Sequence, residues 1–236
     1  MSAPGSEDAP SASSTTTRGV FITFEGGEGA GKSTQLRRLA ERLRGLPDGP
    51  AELVVTREPG GSPGAEAIRS LLVAGDADRW DATTEALLHF AARRDHVERL
   101  VRPALERGAW VVCDRFVDST MAYQGYGHRL GAEAIATLAR LTLRDLAPDL
   151  TLVLDLPPTA GLARAAGRDH DETRYERMDV AFHERLRAGF HAIAAAEPGR
   201  CRLIDATAPV DAVAEAVWTT VAERFGLGSR ASEGRA

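Results

Sequence analysis

The central part of the chain alternates short apolar runs with longer amphipathic segments. Five of the runs have the length and the β-branched, leucine and aromatic composition of buried parallel strands. They are residues 20–24, 52–56, 109–113, 150–155 and 201–205. The intervening segments predict helices at 32–45, 63–74, 82–107, 131–146, 158–167, 176–196 and 209–225. This order predicts an α/β fold, with a five-stranded parallel sheet covered by helices on both faces.

The two ends of the chain differ from this pattern. Residues 1–18 are rich in Ser, Thr, Ala and Pro and lack the apolar stretch of a signal peptide, so we predict a disordered extension. Residues 226–236 are similarly polar and predict a disordered tail. Residues 19–225 are then one domain, because 236 residues that are 43% hydrophobic can bury a single α/β core.

Charge and cysteine content narrow the class of partner and compartment. The net charge of −5 gives no general attraction to nucleic acid or anionic lipid, and no apolar run reaches the length of a membrane span. We therefore expect no nucleic-acid and no membrane partner, and we interpret local arginine clusters as ligand contacts. Cys113 and Cys201 lie in apolar runs and are predicted to be buried strand residues, which fits a cytoplasmic protein.

The segment after the first predicted strand carries the clearest chemical signal. Residues 26–33 read Gly-Gly-Glu-Gly-Ala-Gly-Lys-Ser, which fits the phosphate-binding pattern G-x-x-x-x-G-K-[ST]. Its glycines let several backbone N–H groups converge on phosphate oxygens at a helix N-terminus. Lys32 adds a positive charge for the terminal phosphates, and Ser33 offers a hydroxyl to Mg²⁺. The strand–loop–helix context favours a nucleoside triphosphate site over a chance glycine-rich turn.

Further candidate residues follow the second and third strands, where ligands of parallel sheets collect. Residues 57–61, Arg-Glu-Pro-Gly-Gly, suit either a connecting turn or a binding loop, and the charged pair favours the loop. Asp114 is placed to approach a metal and Arg115 to approach phosphates. Polar groups suited to a base and a sugar come next, unless the segment is only a surface loop; they are Ser119, Thr120, Tyr123 and Gln124.

The helix predicted at 82–107 contributes one further pair. Phe90 and Arg94 are spaced i, i+4 and share a helix face, where a ring and a guanidinium could stack a base and bond its edge. The alternative is a core phenylalanine beside a solvated arginine. His89 and His170 are expected to be incidental.

These motifs occur in an order and at spacings that resemble the bacterial type of the thymidylate kinase family. The resemblance covers about residues 19–225 and implies a P-loop NTPase fold with a short lid at about 164–177. It also implies transfer of the γ-phosphoryl of ATP to dTMP, giving dTDP and ADP for dTTP synthesis, with Mg²⁺. A homodimer is implied too, with the helix at 82–107 as a candidate interface. The alternatives are another nucleoside monophosphate or deoxynucleoside kinase and, more distantly, a P-loop ATPase switch.

The resemblance also implies roles for individual residues. The ATP phosphates would be bound by Gly26, Gly27, Glu28, Gly29, Ala30, Gly31, Lys32, Ser33 and Thr34. The dTMP site would consist of Glu28, Arg57, Phe90, Arg94, Arg115, Thr120, Tyr123, Gln124 and Tyr175. In it, Arg57 and Arg115 would hold the phosphate, Phe90 would stack on thymine and Arg94 would bond its edge. Ser33 and Asp114 would hold Mg²⁺.

The catalytic residues implied in this way include a lid arginine. The phosphate loop itself contains no arginine, whereas residues 164–177 are rich in it, so the chain resembles the class that supplies this arginine from the lid. Arg168 is the first candidate and Arg174 the second, the alternative being a solvated, charged helix start. Lys32, Asp114 and Arg115 complete the predicted catalytic set.

Overall fold

The computed structural model of the chain describes residues 18–76, 78–167 and 174–228. Within them, five parallel strands form one sheet in the order β2-β3-β1-β4-β5. The strands are β1 Phe21–Gly26, β2 Leu53–Arg57, β3 Trp110–Asp114, β4 Leu150–Asp155 and β5 Cys201–Asp205. The predicted five-stranded parallel sheet is confirmed.

Helices connect the strands on both sides of this sheet. They are α1 Lys32–Arg44, α2 Pro63–Val73, α3 Ala82–His96, α4 Arg102–Glu106, α5 Val117–Thr120, α6 Ala132–Leu143, α7 Pro158–Ala166, α8 Val180–Ala196 and α9 Val210–Phe225. A π-helical segment, Val97–Val101, joins α3 to α4, and another, Met121–Gly127, extends α5.

Alternation along the central strand divides the core into two faces. Ile22 and Phe24 belong to a cluster with residues of α1 and α9. Phe21 points to the opposite face and packs with residues of α4 and with Phe116. Thr23 and Glu25 share that second face and are fully buried, so the strand that leads into the phosphate loop has a polar side.

Most helix ends lie within a few residues of the predicted ones, and three larger differences stand out. The helix expected at 82–107 is one helical path interrupted by a π-helical turn, which accommodates Pro103 with its missing N–H. The helix expected from 176 begins at Val180, because the Asp179 carboxylate caps it by accepting from Phe182 N at 2.6 Å. The polar segment after β3 was predicted without a helix, but residues 117–127 are helical.

The predicted terminal segments lie almost wholly outside the described residues. Arg18 is described, and its guanidinium pairs with Asp149 at 2.9 Å beside the start of β1. Residues 1–17 and 229–236 are outside the described ranges, as are residues 168–173 of the predicted lid. In the part of the chain that is described, no helix combines the length and the apolar character that a bilayer span requires.

Candidate active site

The phosphate loop leaves the carboxyl end of β1 and packs closely on α7. Gly29 has a left-handed φ of 66°, and a Cβ there would lie 2.0 Å from the carbonyl oxygen of Gly161. A Cβ on Gly161 would in turn lie 2.3 Å from the carbonyl oxygen of Glu28. The loop therefore requires glycine on both sides of this contact, for steric as well as conformational reasons.

Lys32 is the only lysine in the chain, and it lies across the loop. Its Nζ donates to the carbonyl oxygens of Gly26 and Gly27, at 3.1 and 2.8 Å. Burial and the neighbouring Arg115 lower the pKa of Lys32 to about 8. The Lys32 side chain also lines the pocket into which the loop opens.

Ser33 and Asp114 bring two oxygen donors together at the mouth of the loop. Ser33 Oγ donates to Asp114 Oδ2 at 2.5 Å, and both side chains line the pocket. Within the described ranges no three His, Cys, Asp or Glu side chains cluster to hold a metal. A hydroxyl and one carboxylate still fit Mg²⁺, which prefers oxygen ligands and is usually held by one or two carboxylates together with substrate phosphates.

Arg115 connects the end of β3 to the phosphate loop. Its φ is 69°, an unusual value for a residue with a side chain. The guanidinium donates to Gly26 O at 3.2 Å, Ser119 Oγ at 3.1 Å and Glu28 Oε1 at 3.0 Å. These bonds hold a cation directly beside the loop.

Glu28 is the anion in this part of the site. Its Oε1 accepts from the Tyr123 hydroxyl at 2.6 Å as well as from Arg115. Burial alone would raise the pKa of Glu28, but Arg115 and Lys32 outweigh it and bring the pKa down to about 2. Glu28 is therefore ionised at any physiological pH.

Glu25 lies behind Arg115 and is fully buried. It accepts from Phe116 N at 2.8 Å and from Ser119 Oγ at 2.5 Å, and Ser119 in turn accepts from Arg115. Burial, and then the nearby Asp118 carboxylate, raise the pKa of Glu25 to about 8. Glu25 is therefore largely neutral at pH 7, and it contacts the Arg115 guanidinium through Ser119.

The loop opens into a pocket of about 400 Å³ that extends to α3 and α5. Predicted site residues from five separate segments line it. They are Glu28 to Thr34, Arg57, Asp114, Arg115, Thr120, Tyr123, Gln124 and Tyr175. The helical form of 117–127 explains part of this convergence, because Thr120 and Gln124 are one turn apart on the pocket side.

Phe90 and Arg94 do not reach the pocket, contrary to the prediction. Phe90 is 2% exposed and packs with Ala86 and Ile135 in a small core cluster. Arg94 donates to the carbonyl oxygen of Thr142 at 3.0 Å and pairs with Glu98 at 2.6 Å. The i, i+4 spacing identified a shared helix face, but packing against α6 directs that face away from the site.

The preceding pair on the helix, His89 and Arg93, lines the pocket instead. Sequence reasoning set His89 aside as incidental and overlooked Arg93. The signal available was the apolar Ala86–Phe90 pair, also i, i+4, which marks the core side of α3 and leaves His89 and Arg93 on the neighbouring face.

Arg93 is buried and nearly saturated with hydrogen bonds. Its Nε donates to Glu58 Oε2 at 2.6 Å, and its Nη2 donates to Phe116 O at 2.9 Å and to Thr120 Oγ1 at 3.0 Å. Glu58 also contacts His96 Nδ1 at 2.8 Å. Arg93 Nη1 has no hydrogen-bond partner among the described residues, so it is the donor that Arg93 can offer to a ligand.

Among the described residues, Gln124 has an unpaired acceptor that complements the unpaired donor of Arg93. Its Nε2 donates to Glu85 Oε1 at 2.6 Å, while its Oε1 is buried without a partner in the described part of the chain. Tyr175 also donates to Glu85, at 3.0 Å, and its hydroxyl lies 2.9 Å from His89 Nε2. Burial and the nearby Arg93 lower the pKa of His89 to about 3, so its ring is neutral.

The loop after β2 brings further arginines to the pocket. Arg57 lines it with a half-exposed side chain, 3.3 Å from Glu66. Arg69 on α2 lines it as well, and its Nη1 donates to the carbonyl oxygen of Pro59 at 2.6 Å. Arg69 was not among the predicted site residues.

Of the two arginines predicted to act from the lid, only Arg174 falls within the described residues. Arg168 lies outside the described residues. Arg174 is buried, forms an ion pair with Glu85 and donates to the carbonyl oxygen of Asp76 at 3.0 Å. Arg174 is not among the residues that line the pocket, which contradicts its predicted catalytic placement. Its neighbours Tyr175 and Glu176 do line it.

The fold and the site together define an α/β P-loop protein whose phosphate loop opens into a polar pocket. A sequence model of the thymidylate kinase family matches residues 24–217. The thymidylate kinase of Caulobacter vibrioides is 58% identical over 211 residues, covering 89% of this chain and 100% of the relative. That of Rhodopseudomonas palustris strain TIE-1 is 54% identical over 211 residues, covering 88% and 90%.

A solved structure agrees with these sequence relatives. The crystal structure of thymidylate kinase from Ehrlichia chaffeensis has a TM-score of 0.70 and 36% sequence identity, covering 86% of this chain and 98% of that one. The chain belongs to the thymidylate kinase family.

Proposed function

We propose that this chain transfers the γ-phosphoryl group of ATP to dTMP, giving dTDP and ADP, with the thymine base bound between Arg93 and Gln124. The observation that carries this assignment is a pair of buried polar groups, on two residues that line the pocket, without hydrogen-bond partners among the described residues. Arg93 Nη1 is a donor without a partner and Gln124 Oε1 an acceptor without a partner, among the residues described. Buried polar groups are rarely left unpaired, so a ligand that supplies one acceptor and one donor fits them.

Thymine supplies these two groups at adjacent ring positions, C4 and N3. Its O4 accepts and its N3–H donates, whereas cytosine presents an amino donor and a bare N3 acceptor. The neutral ring of His89 takes the stacking position that the sequence suggested for Phe90. The phosphate of dTMP then lies toward Arg57 and Arg115, at the end of the pocket nearest the loop.

The phosphate loop binds the triphosphate of ATP. Phosphoryl transfer needs in-line positioning and neutralisation of charge on the transferred group, and Lys32 and Arg115 supply two cations close to the reacting end. Ser33 and Asp114 would hold Mg²⁺, which when bound neutralises charge on the β- and γ-phosphate oxygens. Glu28 is close to both cations and accepts hydrogen bonds, which suits contact with the sugar hydroxyl of dTMP.

The remaining catalytic cation is assigned to the lid. The loop carries Lys32 and no arginine, and Tyr175 and Glu176 bring the end of the lid segment to the pocket. Arg168 is therefore proposed as the arginine that neutralises the transferring phosphoryl group. Arg174, held in its ion pair, is assigned to the structure of the pocket wall.

A homodimer in the cytoplasm completes the proposal. Leu87 on α3 is 51% exposed and Leu141 on the adjacent α6 is 75% exposed, which suits an apolar contact with a second copy. Cys113 and Cys201 are both free and buried, in keeping with a reducing compartment.

Substrate profiling tests the proposal directly. ATP consumption is measured with each nucleoside and deoxynucleoside monophosphate as acceptor. We expect dTMP and dUMP to be used at least tenfold better, in kcat/KM, than cytosine or purine monophosphates. Equal use of dCMP would instead favour another monophosphate kinase, and ATP hydrolysis that no acceptor stimulates would favour a P-loop ATPase switch.

A further inference from the structure

Glu85 is a fully buried carboxylate on α3 that touches the pocket only through other residues. Its Oε1 accepts from Gln124 Nε2 at 2.6 Å and from the Tyr175 hydroxyl at 3.0 Å, and it lies 3.5 Å from His128 Nε2. Its other oxygen forms an ion pair with Arg174. Three distant parts of the chain therefore meet at this one side chain.

We infer that Glu85 is a positioning residue that sets base selectivity by fixing which end of the Gln124 amide faces the pocket. This inference rests on the proposed function, since it assumes that the pocket binds a pyrimidine base. An amide presents a donor at one end and an acceptor at the other. A carboxylate paired with a guanidinium only accepts, so Gln124 must turn its Nε2 toward Glu85.

The opposite orientation of the amide is strongly disfavoured. It would place the carbonyl oxygen of Gln124 against a carboxylate oxygen at a hydrogen-bond distance, between two buried side chains. Gln124 Oε1 is therefore held as an acceptor toward the ligand. A free amide could flip to offer a donor, and it would then accept the bare N3 of cytosine as readily as the N3–H of thymine.

A second buried acid, Glu58, positions the residue that would contact the other half of the base edge. Glu58 holds Arg93 through Nε, and Nη2 is already committed to Phe116 and Thr120, so Nη1 is left as a donor. The two positions differ in one respect. Arg93 can only donate, whatever its orientation. Whether Gln124 donates to the base or accepts from it depends on Glu85.

Glu85→Gln tests the inference, because it keeps the size of the side chain and removes its obligatory acceptor character. Dissociation constants for dTMP and dCMP are measured by calorimetry, with thermal melting as a check on folding. We expect the ratio of dCMP to dTMP dissociation constants to fall at least tenfold, with ATP affinity changed less than twofold. Glu98→Gln, the same chemical change on an exposed side chain, should leave the ratio unaltered.

A merely structural role would lower the melting temperature without changing this ratio. A ratio within twofold of the parent in folded Glu85→Gln therefore overturns the inference. Glu85→Gln removes the carboxylate that neutralises the buried Arg174 guanidinium. If this variant does not fold, the paired variant Glu85→Gln with Arg174→Met is measured on the same terms.

A double-mutant cycle gives an independent reading. Gln124→Met removes the amide, so adding Glu85→Gln to it should change the ratio by less than twofold. A further loss of selectivity in that background would show that Glu85 acts by another route, and would contradict the inference. Failure of the parent protein to prefer dTMP over dCMP would contradict the proposed function itself, so the two failures are distinguishable.

Discussion

The two ends of the pocket are built in different ways. The phosphate end is built around one continuous stretch, residues 26–34, whose shape depends on glycines and on carbonyl groups that hold Lys32. The base end consists of His89, Arg93 and Gln124, which come from α3 and from the helical segment after β3. The first is a local structure, and the second exists only when separate elements pack together.

The buried acids behind the two ends also differ. Glu25, behind the phosphate end, contacts a backbone N–H and the Ser119 hydroxyl, and its pKa is raised to about 8. Glu58 and Glu85, behind the base end, form ion pairs with Arg93 and Arg174. At the phosphate end, where charge recognises the ligand, the supporting acid Glu25 is mostly neutral. At the base end, where the pattern of donors and acceptors recognises the ligand, Glu58 and Glu85 are paired with arginines and fix the orientation of side chains.

The largest effect is expected at the phosphate end. Lys32→Met should lower kcat by about 10²-fold or more, because it removes a charge that stabilises the transferring phosphoryl group, while the protein remains folded. Steady-state kinetics measures kcat, and thermal melting shows whether the variant is folded. Since Lys32 is the only lysine, ATP should also protect the chain from amine-reactive inactivation. Near-normal turnover in the variant would remove Lys32 from the catalytic set.

An intermediate effect is expected at the base end, where adjacent arginines make a matched pair. Arg93→Met should raise the KM for dTMP by about 10- to 100-fold, since a hydrogen bond from a charged donor contributes about 1.5–3 kcal/mol. Arg94→Met should change it less than twofold, because Arg94 contacts Thr142 and Glu98 instead. The reverse ranking would restore the original sequence interpretation. Melting curves show whether loss of the Glu58 partner also destabilises the fold.

The smallest effect is a pH dependence of stability. The pKa of Glu25 is near 8 in the folded protein and 4.5 in the unfolded chain. The contribution of Glu25 to the free energy of unfolding is therefore fully present below about pH 4.5 and is lost as pH rises through about 8. Between these values the free energy of unfolding should fall by up to about 1.4 kcal/mol per pH unit more in the parent than in Glu25→Gln. Denaturant unfolding at pH 5.5, 6.5 and 7.5 measures the difference. Glu106→Gln, an exposed control, should follow the parent, and parallel curves for the parent and Glu25→Gln would contradict the raised pKa.

The features that could be predicted from the sequence are those encoded locally. Each of the five strands is an apolar run, and a parallel sheet buried on both faces requires such runs, so the sheet was predictable strand by strand. The phosphate loop was predictable for the same reason, because glycine positions and one lysine determine its backbone and its charge. Asp114 is the last residue of β3 and Arg115 the next one, so their place at the carboxyl edge of the sheet was also determined locally.

Only the tertiary structure decided which side of α3 meets the ligand. A helix turns by about 100° per residue, so a shift of one position exchanges His89 and Arg93 for Phe90 and Arg94. The spacing of either pair is equally good, and the choice depends on the packing of Phe90 and Ala86 against α6. The orientation of the Gln124 amide and the ion pair of Arg174 depend likewise on Glu85, about 40 and 90 residues away along the chain. Contacts at that separation leave no periodic trace in the sequence, because each partner satisfies its own local pattern whether or not the other is present.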